Sequence, residues 1–244
     1  MVTERIDPRR AIIRRRFSGV KRVIAVTGGK GGIGKSVVAS TLALAAARSG
    51  RRAGLLDLDL TSPTDHVILG LGGEFPTEEF GLEPPDVQGV RFMSVQYFLR
   101  ERALPLRGQE VTDALVEILA VTNWGELDAL VVDMPPGLGD ATLDAVSLLP
   151  RAEFLVVANG SVVVLETVRR MLHLLVELRC PIVGVIENME RGAPGAVAEL
   201  ARASGVRFLG SLPTDGTLER AFGDAERLLA TPFAGALRDI APLD

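Results

Sequence analysis

The sequence predicts an α/β fold: a single domain built on a parallel sheet with helices on both faces. Three observations carry this. Short apolar or β-branched runs alternate with helical stretches, the order that right-handed strand–helix–strand crossovers produce. Apolar residues make up 47% of the 244 and aromatics 5%, a supply of Val, Leu, Ile and Ala that suits strands covered on both faces. A glycine-rich turn follows the first run and opens the first long helix, the punctuation of a strand-to-helix junction.

The elements follow in order. Residues 1–21 form a basic extension and 22–244 the domain. Within the extension, Asp7-Pro8 supplies a helix cap and first-turn proline. Ile13 and Phe17 are four apart, which gives a short amphipathic helix with an arginine face. It is either a docking arm for an acidic partner or a solvated helix lying on the domain. The run 22–27 is the first strand, followed by a helix to about 48, and 53–58 is the second strand. Residues 59–88, rich in Pro, Gly and acids, read as loop with room for a short helix. A strand at 90–95, a helix at 110–121 and an apolar strand at 130–133 come next. Further strands fall at 153–158, 182–186 and 206–209, with helices near 163–178, 194–203 and 216–229.

Bulk properties exclude several classes. The net charge of −4 gives no global case for nucleic acid. No run of about 18 apolar residues occurs, so no membrane span is expected. The first 20 residues carry no apolar core of a secretory signal, and a cytoplasmic location is expected. The single cysteine, Cys180, allows no internal disulfide and no cage of cysteines within one chain. Of 27 basic residues only Lys21, Lys30 and Lys35 are lysines, and two of the three lie in one glycine-rich loop. Those two positions call for a compact ammonium among phosphate oxygens, where a planar guanidinium fits poorly.

Residues 29–36, Gly29-Lys30-Gly31-Gly32-Ile33-Gly34-Lys35-Ser36, match the phosphate-loop pattern G-x-x-x-x-G-K-[ST] in its required strand–loop–helix setting. The glycines let backbone N–H groups turn inward, and the helix N-terminus adds its dipole. Together with Val37 these residues are the expected ATP-binding set. Lys35 reaches the β- and γ-phosphates and the Ser36 hydroxyl ligates Mg²⁺. A rival exists, because Gly29, Gly31 and Gly34 also spell G-x-G-x-x-G, with Asp57 where a dinucleotide-binding fold places its ribose acid. That reading has no use for Lys35-Ser36 or for Lys30.

Asp133 ends the strand 130–133 and leads into Met134-Pro135-Pro136-Gly137. A carboxylate there, beside a phosphate loop, helps hold Mg²⁺, and the Gly137 N–H can approach a γ-phosphate. As an isolated residue, Asp133 also suits a helix cap. Asp57 and Asp59 are two apart in an extended segment and share one side. One can assist Mg²⁺ while the other orients the attacking water, or both can be solvated loop-entry acids. The expected metal set is Ser36, Asp57 and Asp133. The expected catalytic residues are Lys35 and Asp59.

These residues resemble the SIMIBI-class ATPases of the MinD/ParA/Mrp group, whose mark is a second early lysine in the loop, here Lys30. The closer resemblance is to Mrp-type nucleotide-binding proteins of iron–sulfur cluster assembly. It rests on Gly54-Leu55-Leu56-Asp57-Leu58-Asp59 with Pro63, on Leu106-Arg107-Gly108, and on Trp124-Gly125-Glu126-Leu127-Asp128. It rests also on Asp133-Met134-Pro135-Pro136-Gly137-Leu138-Gly139-Asp140 and on Gly184-Val185-Ile186-Glu187-Asn188-Met189. The resemblance spans roughly 22–240. It implies a slow ATP hydrolase working as a homodimer, in which Lys30 crosses to the partner's phosphates. It also implies that Asn188 meets the adenine edge, as an amide can.

Two departures stand out. The family often carries C-x-x-C shortly after E-N-M, whereas here Met189-Glu190-Arg191-Gly192 runs on without cysteine. Cys180, read as a buried small hydrophobe, gives a dimer two thiolates against the four that a cluster needs. Ala158-Asn159-Gly160-Ser161 stands where the family usually has T-x-P-Q. The expected function is an ATP-dependent dimeric switch in metallocofactor assembly, with ATP and Mg²⁺ as cofactors and an unidentified client protein. The alternative is a MinD/ParA-type positioning or partitioning ATPase. That action requires a basic amphipathic C-terminal helix or a basic DNA-binding face, and residues 231–244 hold one arginine.

Overall fold

The computed structural model describes residues 7–99, 108–192 and 194–241. Among them an eight-stranded sheet runs in the order β10-β9-β8-β1-β7-β2-β6-β5. The strands are β1 (Val23–Gly28), β2 (Ala53–Asp57), β5 (Asp86–Val87), β6 (Val90–Ser94), β7 (Ala129–Asp133), β8 (Ala152–Gly160), β9 (Ile182–Gly192) and β10 (Phe208–Ser211). All neighbours pair parallel except β5, which returns antiparallel onto β6. A separate antiparallel hairpin joins β3 (Thr77–Glu78) and β4 (Leu82–Glu83). The helices are α1 (Arg9–Arg16), α2 (Lys35–Arg48), α3 (Asp65–Leu69), α4 (Gln96–Leu99), α5 (Gln109–Val121), α6 (Asp140–Leu148), α7 (Val162–Glu177), α8 (Ala196–Ala203), α9 (Ala225–Leu229) and α10 (Pro232–Ile240). The α/β class and the predominantly parallel sheet therefore stand.

The central strands are buried along their whole length, β1, β2 and β7 at every position. Continuous Val/Leu/Ile/Ala runs are what a parallel sheet covered on both faces requires. Helix α1 lies on the domain. Ile13 and Phe17 are each 1% exposed and join the common core. Asp7 Oδ1 accepts the Arg9 N–H at 2.9 Å, and Arg9 Nη2 pairs with Asp113 of α5 at 3.0 Å.

Several boundaries differ from the sequence expectation. Strand β9 runs to Gly192 instead of ending at 186, so Asn188 lies inside it. The ladder with β8 shifts register between Ala158 and Gly160, and Met189 takes φ 56°, which marks an irregular extension. The helix expected at 216–229 is broken into a 3₁₀ turn, Leu218–Ala221, and α9. Gly223 separates them at φ 84°, its N–H bonding to the Ile68 carbonyl, and Asp224 accepts the Arg227 N–H as the new cap. Three helices, α4, α6 and α10, had no counterpart in the sequence reading. Of the segment 106–108, Leu106 and Arg107 lie outside the described residues.

Candidate functional site

The carboxyl ends of β1, β7, β2 and β6 lie side by side, where a parallel sheet places ligands. Register fixes the side chains there. Asp57 is the partner of Asp133 across β2–β7 and of Ser94 across β2–β6. The loop after β1 leads straight into α2, with Lys35 and Ser36 as its first residues. An open cavity of about 560 Å³ sits over this point, in the range of small-molecule sites. Its lining includes Lys30, Gly31, Gly32, Lys35, Ser36 and Asp59, with Val37, Gly34 and Pro136 also present.

Each loop residue has a legible role. Gly34 takes φ 81°, and a Cβ there would stand 2.3 Å from Asn188 Nδ2, so only glycine fits. The Ile33 side chain is buried against the core and anchors the loop. Lys30 and Gly31 are exposed at the outer bend. Lys35 is buried, 7% exposed at its side chain, and its Nζ donates to Asp133 Oδ1. The Ser36 hydroxyl donates to Asp133 Oδ2 at 2.6 Å. The Lys and Ser of the loop thus converge on one strand-end carboxylate.

Asp57 is fully buried, accepting the Asp59 N–H at 3.0 Å and the Ser94 hydroxyl at 3.2 Å. Asp59 is half-buried on the cavity wall. Its Oδ1 accepts the Thr61 hydroxyl at 2.8 Å and the Ser62 N–H at 3.1 Å, an Asx-type turn that folds the 59–62 loop back on itself. The two acids therefore have different surroundings, one sealed and one at the cavity, although both serve the same end of β2. The Gly137 N–H donates weakly to the Gly28 carbonyl at 3.4 Å, within reach of the loop. Asn188 is buried and its Nδ2 donates to the Ile33 carbonyl at 2.9 Å. It braces the loop from behind, and its donor is engaged there. Asn159 Oδ1 accepts the Ser161 N–H at 3.1 Å and fixes the turn into α7. Cys180 is half-buried rather than buried, and partial burial lifts its thiol above the usual range.

Three residues at the site escaped the sequence reading: Ser94, Asp65 and Ser40. Ser94 could have been found by aligning strand ends. Asp65, first residue of α3, is fully buried and accepts the Ser40 hydroxyl of α2 at 2.7 Å. One carboxylate oxygen from each of Asp57, Asp65 and Asp133 lies within 4.8 Å of the others. Burial raises all three above the ordinary carboxylate value. Asp133 charge adds to this for Asp57, and both Asp133 and Asp57 add to it for Asp65. Lys35 opposes the rise at all three. A hydroxyl and carboxylates beside a lysine and a glycine cradle suit a hard divalent cation and a polyphosphate.

One pH consequence follows. The Asp57 carboxyl is pushed from 3.8 up to about 8. The folded chain then holds a proton that the unfolded chain releases, so stability falls as pH rises through the window from 3.8 to about 8. In EDTA, Asp57→Asn is expected to melt above the parent at pH 8, with the gap closing toward pH 4. Thermal melts across that range decide it; a gap that widens at low pH would contradict the assignment.

The profile of the ParA-group NUBPL iron-transfer P-loop NTPases matches residues 19–239. An iron–sulfur cluster carrier protein of Aquifex aeolicus is 37% identical over 218 residues, which are 83% of this chain and 60% of that protein. The chain thus spans less than two thirds of that relative. The cytosolic Fe–S cluster assembly factor NUBP2 of Rattus norvegicus is 36% identical over 225 residues, 84% of this chain and 83% of that one. A nucleotide-binding protein of Archaeoglobus fulgidus, solved in complex with ADP, superposes with TM-score 0.73 at 30% identity. The match covers 91% of this chain and 93% of that one. The septum site-determining protein MinD of Pyrococcus horikoshii, solved with Mg-ADP, gives TM-score 0.67 at 21% identity, covering 90% and 93%, a likeness of fold.

Proposed function

The chain belongs to the ParA-group family of NUBPL-type iron-transfer P-loop NTPases, and from that premise we propose that it is a Mg-ATP hydrolase acting as a nucleotide-dependent homodimeric switch in iron–sulfur cluster assembly. The observation that carries the reading is the convergence of Lys35 and Ser36 on Asp133 beneath the glycine loop. The residues fit the nucleotide: the loop is open at Lys30–Gly32, and its first helical turn supplies free N–H groups. Ser36, Asp57 and Asp133 fit a magnesium ion, which when bound would neutralise phosphate charge. Lys35 would leave Asp133 and donate to the β- and γ-phosphates. Asp59, on the cavity wall, would orient the attacking water and accept its proton. Lys30 would serve the partner's phosphates.

Calorimetry tests the nucleotide. ATP with Mg²⁺ is expected to bind one per chain and NAD not to bind. NAD binding without ATP binding would return the site to the dinucleotide-binding reading.

The switch would act without a cluster bridged by this chain's own cysteines. With one cysteine per chain, a dimer offers two thiolates, and a [4Fe–4S] cluster takes four. Anaerobic reconstitution with iron and sulfide is expected to leave no cluster after desalting. A stoichiometric cluster, read by its visible absorption, would overturn this. The positioning alternative is weakened by α10, whose apolar residues Phe233, Ala234 and Leu237 are buried against the domain instead of forming a free amphipathic face.

A further inference from the structure

Asp65 lies outside every motif that identifies the phosphate site, yet its side chain is as buried as that of Asp57. Oδ1 accepts from Ser40, while Oδ2 is buried with no partner among the described residues. Ser40 is one turn after Ser36 on α2, so the helix presents two hydroxyls in line, one to Asp133 and one to Asp65. The three carboxylates face a single ammonium, that of Lys35, which bonds Asp133. A buried oxygen without a donor is costly and calls for a further occupant. Opposite oxygens around one ion stand about 4.2 Å apart for Mg²⁺ and about 4.6–5.2 Å for Ca²⁺. With one oxygen of each carboxylate within 4.8 Å of the others, the three can reach one shared cation.

We propose that Asp65 joins Asp57 and Asp133 in a divalent-cation site below the phosphate loop, filled without nucleotide and more tightly with it. The proposal rests on the ATPase reading and adds to it a ligand from α3. Lys35 and the cation compete for Asp133. When Lys35 turns to the phosphates it frees that carboxylate, so nucleotide strengthens cation binding. Asp65 also follows the 59–64 loop, whose Thr61, Ser62 and Thr64 line the cavity, so the cation holds that loop at the mouth.

The probe is Mn²⁺, its free form counted by electron paramagnetic resonance, with the full chain with and without ADP. The parent chain is expected to bind one Mn²⁺ without nucleotide and to melt at a higher temperature when it does. ADP should tighten that binding. Asp65→Asn keeps the shape and an acceptor for Ser40, and should weaken Mn²⁺ about tenfold or more, about 1.4 kcal/mol per factor of ten. Its ADP affinity in EDTA should stay within about threefold. Ser40→Ala, which removes the hydroxyl and no ligand, should keep Mn²⁺ within about threefold. Unchanged Mn²⁺ affinity in Asp65→Asn would overturn the site. So would a parent chain that neither binds Mn²⁺ nor gains stability without nucleotide, whatever the variants do. Failure of the parent to bind ADP in EDTA would instead count against the ATPase reading itself.

Discussion

Lys35→Ala is expected to weaken ATP binding on the order of a hundredfold and to lower the melting temperature of the chain at the same time. Both effects have one cause. Lys35 and Asp133 form a buried ion pair, with side chains 7% and 1% exposed. Removing one partner from such a pair strands the other charge and costs about 3–5 kcal/mol. In the proposed function the same ammonium serves the β- and γ-phosphates, and losing charged hydrogen bonds there weakens ATP on the order of a hundredfold. Lost binding alone could therefore reflect a loosened fold. The double variant Lys35→Ala/Asp133→Asn separates the two. An uncharged amide in place of the Asp133 carboxylate no longer needs the ammonium, so much of the stability should return, while ATP binding should not. Melting curves and calorimetry on parent, single and double variants give the answer. ATP binding restored in the double variant would mean that Lys35 only holds the fold together.

The parts of the site that were legible in the sequence are those built from contiguous residues. The loop 28–36 carries its own punctuation, motif and helix start, and local chemistry dictates all three. Asp133 was legible because an apolar run ending in an acid before Pro-Pro-Gly marks a strand end. Asp65 and Ser40 were not. They stand 25 residues apart in sequence, one in a helix and one after a loop of no periodicity, and only the packing of α3 on α2 brings them together. Asn188 shows the same limit. The resemblance assigns it to adenine; that a β9 longer than the apolar run also brings its amide to the Ile33 carbonyl behind the loop was not legible. The broken helix near 223 is a tertiary effect too. A Cβ on Gly70 would stand 2.6 Å from the Gly223 backbone, and that close approach decides the break, which helical periodicity in 216–229 alone does not reveal.

Lys30→Ala is expected to leave ATP binding within about threefold of the parent and to remove ATP-dependent dimerisation and hydrolysis together. Lys30 sits on the exposed bend of the loop, at the rim of the cavity, and no ion pair or hydrogen bond ties it to the described residues of its own chain. Lys35, five residues on, is sunk into the base of the same site. The two ammonium groups therefore lie on different sides of the site, and in the proposed function Lys35 serves the chain's own phosphates from within. Beside the loop, α7 exposes two valines. Gly29 packs so closely on α7 that a Cβ would meet Thr167 Oγ1 at 2.4 Å. One turn earlier on that helix, Val162 and Val163 are 82% and 57% exposed. A free cation next to exposed valines fits a face that closes on a second copy, with the cation meeting the partner's phosphates as charge spreads over them in the transition state. Cations supplied across an interface in this chemistry contribute on the order of 10³–10⁵ in turnover, so hydrolysis in Lys30→Ala should fall to the limit of detection. Light scattering with and without ATP, beside phosphate release, reads both effects. If Lys30→Ala hydrolyses ATP at the parent rate as a monomer, catalysis is contained within one chain, and the exposed valines serve some other contact.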